Sequence, residues 1–143
     1  MKKNDVFAIA MTVIAVSGIA GVSGCAEAPT ARSGQVMTGE EIKNLFNGKS
    51  EETTTSEGGT YRAYHPDAES ERGAYTGPDG KITKVSARLS YKSDAICAVF
   101  EPKDWGNQCY QFVRDGDKIT YMNLKNKKDY GVVTVVDGNP FGF

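Results

Sequence analysis

The 143-residue sequence holds one histidine, one tryptophan and three cysteines, and each scarcity closes off a class of chemistry. A single imidazole cannot build a multi-histidine metal centre, and no Cys-x-x-Cys pair completes a tetrahedral zinc site. Net charge is small as well: 17 basic against 18 acidic side chains leave −1. There is no basic stripe with interleaved aromatics, so nucleic acid is not an expected partner. No serine or cysteine stands in a nucleophile motif, so no catalytic residue, cofactor or metal is assigned and no enzyme is expected.

What is present starts at the N-terminus. Met1-Lys2-Lys3 is basic, although Asp5 follows, and Val6 to Val22 is apolar or small with only Thr12 and Ser17 interrupting. The run is short, rich in Ala and Gly, and followed by no basic stop-transfer cluster. It reads as the hydrophobic region of a signal peptide rather than a membrane span. Val22-Ser23-Gly24-Cys25 then resembles the lipobox of bacterial lipoproteins: an aliphatic residue, two small ones, and a cysteine. That resemblance implies removal of residues 1–24 and acylation of the Cys25 thiol, with the membrane as a partner. Each buried methylene contributes about 0.8 kcal/mol, so two or three acyl chains make a lasting anchor. Ala26, not aspartate, follows the cysteine. In a two-membrane bacterium this implies the outer membrane, with the domain facing the periplasm of the cell envelope.

Cleavage there removes Lys2, Lys3 and Asp5 and leaves 15 basic and 17 acidic side chains. With Cys25 used by lipid, Cys97 and Cys109 remain, and an oxidising compartment favours a disulfide between them over two buried thiols. Residues 25–36 carry Ala, Pro, Thr, Ser and Gly with little apolar bulk, which suits a flexible tether. Residues 37–143 form the expected domain, large enough for one modest core.

One helix is well signalled. Thr38 and Glu41 make a capping box, Met37 and Ile42 a hydrophobic staple, and Gly48 a stop. Ile42, Leu45 and Phe46 share the face that must pack. Glu51 to Gly59 reads as a mobile polar loop. Strands follow: Thr60 to His65, Arg72 to Thr76, Lys81 to Lys92, Ala95 to Glu101, Gln108 to Arg114, Lys118 to Leu124 and Tyr130 to Val136. In the clearest, Val85, Ala87, Leu89 and Tyr91 alternate with polar residues. Turns rich in Asp, Gly and Asn separate them. The expected fold is mainly β, a small antiparallel meander forming a barrel or sandwich, with one short N-terminal helix.

The chain resembles a family of small exported proteobacterial domains of unknown function. The matching segments are Glu40 to Gly48, Tyr61-Arg62-Ala63-Tyr64, Cys97, Cys109-Tyr110 leading into Val113 to Asp117, and Gly138-Asn139-Pro140. In place of the tryptophan pictured before the first cysteine strand stands Tyr91. The resemblance brings fold and compartment but no chemistry.

Among candidate functional residues, His65 is the first. In His65-Pro66-Asp67-Ala68-Glu69-Ser70-Glu71 it reads as part of a solvated turn, against a sharper reading as a base oriented by Asp67 or a weak metal site. The Asp-Gly pairs read as turn formers rather than calcium ligands. Trp105, between the cysteine strands, is a candidate contact residue if exposed and a plug of the barrel end beside the helix if buried. Seven tyrosines spread over the strands suit core packing or a pocket for a hydrophobic or sugar ligand. The expected function is a membrane-anchored, non-enzymatic envelope lipoprotein binding a protein or small ligand. The alternative is an inhibitor of a secreted hydrolase such as lysozyme.

Overall fold

Helix α1 (Gly39–Phe46) begins where its cap chemistry places it. In the computed structural model, which describes residues 34–143, the Thr38 hydroxyl accepts from the Glu41 amide at 3.2 Å. The Glu41 carboxylate returns to the Thr38 amide at 2.7 Å, so two orphan donors are satisfied reciprocally. Met37 and Ile42 are both buried across the cap, and Gly48, at φ +73°, lets the chain leave the helix. The expected signal peptide, Cys25 and most of the expected tether lie outside the described residues.

The described residues form nine strands. They are β1 (Gln35–Val36), β2 (Lys49–Thr54), β3 (Thr60–Asp67), β4 (Ser70–Thr76), β5 (Ile82–Tyr91), β6 (Ile96–Glu101), β7 (Asn107–Asp115), β8 (Lys118–Asn123) and β9 (Asp129–Asp137). From β2 to β9 each pairs antiparallel with the next, and β9 returns to β2 through Glu51 opposite Val135. The sheet therefore closes on itself as an eight-stranded barrel, a meander rather than a sandwich. Closure removes the exposed edges that an open sheet of this length would present. Strand β1, drawn from residues that the sequence assigns to the tether, pairs with the far half of β7, Gln35 opposite Arg114.

Period-two alternation sorts inside from outside. Val85, Ala87 and Leu89 on β5, and Ile96, Ala98 and Phe100 on β6, point inward and are buried. Val99 and Val132 point outward and are exposed. Cys97 and Cys109 stand directly opposite each other on β6 and β7 and form the disulfide. Their inward neighbours Ile96 and Ala98 place that bond on the outer wall.

Helix α1 closes one end of the barrel. Ile42 and Phe46 are fully covered, and each such burial contributes about 1.5–3 kcal/mol. The Phe46 ring stacks on His65 at 4.8 Å and meets Phe112 edge-on at 5.4 Å. The turns joining β3 to β4, β5 to β6 and β7 to β8 share this end. The longer connections, residues 55–59, 102–106 and 124–128, gather at the other.

Two sequence expectations are corrected here. Residues 51–54 of the expected mobile loop, Glu51 to Gly59, belong instead to the barrel strand β2. Its inward positions are Glu51 and Thr53, so the hydrophobic alternation that marks a half-buried strand is missing. His65 is not in a solvated turn either. It lies within β3 and is 1% exposed. The turn is confined to the next few residues, where the Asp67 carboxylate accepts from the Glu69 amide at 2.8 Å and the Ser70 hydroxyl at 2.9 Å.

Candidate functional site

A cavity of about 380 Å³ occupies the barrel interior, within the range of small-molecule sites. Nine of its 17 lining residues are aromatic. They reach it by strand parity: Tyr61 and Tyr75 from β3 and β4, Phe100 from β6, Tyr110 and Phe112 from β7, Tyr121 from β8. Tyr121 stacks on Phe112 at 5.3 Å and on Tyr130 at 5.3 Å, with Tyr110 edge-on to both tyrosines, which makes one continuous aromatic wall. Small Ala98 at an inward position leaves part of the room.

The floor lies above α1 and is polar. Register sets it: Glu51 stands opposite Ala63, one inward position from His65, while Arg72 opposite Tyr64 brings Glu71 alongside. His65 Nε2 lies 3.0 Å from Glu51 Oε1 and 3.8 Å from Glu71 Oε2. The Tyr61 hydroxyl donates to Glu71 Oε1 at 2.9 Å. All three titratable residues are buried. His65 Nδ1 has no partner among the described residues.

These groups perturb one another in opposed directions. Burial pushes the Glu71 carboxyl up, the positive charge of His65 draws it down and the Glu51 carboxylate adds to the rise, which leaves it at about 7. Burial lowers His65, but the hydrogen bond and charge of Glu51, with Glu71 behind it, outweigh that and hold the imidazole above its ordinary range. Burial, reinforced by the Glu71 carboxylate, raises Tyr61 well above the usual phenol range, so it stays a donor. The floor thus competes for protons near neutrality. A carboxylate pair around one imidazole carries a negative charge that a proton or a cation must balance. The donor atoms of Glu51, His65 and Glu71 lie within 4.8 Å of one another, so they are also the group that would hold a metal ion.

The mouth is at the end away from the helix. Trp105, half-buried, meets Phe100 edge-on at 5.4 Å and Tyr75 at 6.0 Å. It therefore closes part of the barrel as expected, but at the end opposite α1, because the connection between β6 and β7 emerges there. Exposed Glu57 and Asp104 join it at the rim. Of the residues singled out in the sequence, the structure brings His65 and Trp105 to this one cavity, at floor and mouth. Asp67 stays in its turn, away from His65 Nε2. Glu51 was hidden in an apparent loop; the signal that finds it is its inward parity once residues 49–54 are paired with β3.

Comparisons of the chain with protein-family models, with curated proteins and with solved structures return no match.

Proposed function

We propose that this protein is a non-catalytic binder of a small amphipathic molecule, held on a membrane through Cys25 and taking its ligand into the barrel. The observation that carries the reading is the aromatic cavity of about 380 Å³ with one polar floor and one open end. A space of that size, lined by rings and ending in a few convergent polar groups, is the usual form of a small-molecule site. Binding is favoured over turnover because Glu51 and Glu71 are each engaged with His65 or Tyr61, and Cys97 and Cys109 are tied to each other.

The inhibitor reading leans on Trp105 as a wedge offered to a foreign active site. That ring is instead packed against Phe100 and Tyr75, which is why the internal cavity is preferred.

Trp105 is the only tryptophan and reports on the mouth. The full-length chain in mild detergent is titrated with 3-phenylpropanol while Trp105 fluorescence is followed, with a detergent blank. A saturable change near about 1 mM is expected for a neutral ligand of this size. Ala98→Phe, which fills the cavity, abolishes it, and Val99→Phe on the outer wall does not. Equal binding by wild type and Ala98→Phe would overturn the reading.

A further inference from the structure

We infer that the ligand of this barrel is an organic ammonium ion, its N–H groups taken by the Glu51 carboxylate on the floor and its apolar body lying against the aromatic wall. The inference rests on the cavity reading above and names the chemistry of the occupant.

Three independent features of the cavity agree. The first is the sign of charge. Glu51, Glu57 and Asp104 line it, Glu57 paired with Lys128 at 3.2 Å, and among the described residues no lysine or arginine is in the lining. An anionic ligand would meet only the His65 ring as a partner of opposite sign, and Glu51 already holds that ring at 3.0 Å. The second is the wall. Tyrosine, phenylalanine and tryptophan faces attract a cation through their quadrupoles, and the effect grows where water is excluded. The third is the floor's unmet valence. His65 is 1% exposed, lines the cavity, and leaves Nδ1 without a partner among the described residues. An ammonium brings several N–H donors to a place that holds carboxylate oxygens, a phenol oxygen and an imidazole lone pair. A neutral alcohol brings one. Glu71 stands behind Tyr61 and His65 and adds charge without touching the cavity.

No covalent step is involved: the ligand enters and leaves as the ammonium ion.

The test uses three probes with one phenylpropyl body and different heads: 3-phenylpropylamine, 3-phenylpropanol and 4-phenylbutyrate. Each is titrated into the full-length chain in mild detergent, at pH 8, with Trp105 fluorescence as readout. At pH 8 the amine binds about tenfold or more tighter than the alcohol, and the carboxylate binds weakest. Glu51→Gln reduces the amine-to-alcohol ratio at pH 8 to within about threefold; if that variant fails to fold, the wild-type comparison decides alone. Alcohol binding equal to amine binding overturns the ammonium assignment and leaves the cavity reading intact, as does preference for the carboxylate. An amine preference unchanged in Glu51→Gln overturns its placement on the floor. No binding by any probe overturns both readings.

Discussion

The acidic floor makes stability fall as pH rises, which is opposite to the usual effect of native carboxylates. Glu71 is raised from 4.5 to about 7, so in that interval the folded protein holds a proton that the unfolded chain releases. Stability is thus fullest at low pH and is lost as pH climbs through about 7. Over the full 2.5 units the loss is roughly 3 kcal/mol, and between pH 5.5 and pH 8 it is about 2 kcal/mol. His65 acts in the same direction: its raised value contributes stability below the ordinary imidazole range that disappears as pH passes the folded value. Glu41 and Asp67 are lowered by hydrogen bonds within their cap and turn, so their contributions vanish only on acidification below the ordinary carboxylate range, outside this window. The assay is thermal unfolding of the full-length chain in detergent at pH 5.5, 6.5, 7.5 and 8. A drop in Tm of roughly 8 °C across the series is expected for a domain of this size. Glu71→Gln imitates the protonated acid, keeps an oxygen for Tyr61, and flattens the profile to Tm values near the wild-type value at pH 5.5. A wild-type Tm that holds constant or rises from pH 5.5 to 8 would refute the reasoning.

Further expectations follow from other parts of the chain. Replacing Cys97 and Cys109 together with serine lowers stability by about 3 kcal/mol on the chain-entropy model for a 12-residue separation, measured by urea unfolding; no change in the midpoint would count against it. Gly73→Ala places a Cβ against the Arg62 carbonyl and the Ala63 backbone, so it destabilises the β3–β4 pair by about 1–3 kcal/mol, read in the same way. Labelled palmitate enters the wild-type chain in bacteria and not Cys25→Ser; unchanged labelling would show that another residue carries the lipid.

Local signals were legible in the sequence wherever chemistry and burial agree. The capping box of α1, the alternation of β5 and the Asp-Gly turns each follow from a few neighbouring residues, and the pairing of Cys97 with Cys109 follows from the small number of cysteines. What was obscured is the part that makes the cavity. A barrel that encloses a polar floor must point Glu51, Thr53, His65 and Glu71 inward, so β2 and the end of β3 lose their apolar alternation and look like loop and turn. Only the register of β2, β3 and β4 brings the two glutamates to the one histidine, and register is a property of three paired strands rather than of any segment. Closure was likewise undecided between barrel and sandwich, because it depends on β9 meeting β2, about 80 residues away in the chain. The tyrosines were visible as a recurring residue on the strands. Their convergence on one space was not, since core packing and pocket lining use the same parity.

The most direct test of the account asks whether the barrel interior takes up a small molecule. Methyl-labelled full-length protein is titrated with 3-phenylpropylamine and its methyl spectrum recorded. Inward Ile96 and Ala98 should shift saturably, at one common midpoint, while outward Val99 and Val132 stay in place. Shifts confined to Val99 and Val132, or none at all at millimolar ligand, would contradict it.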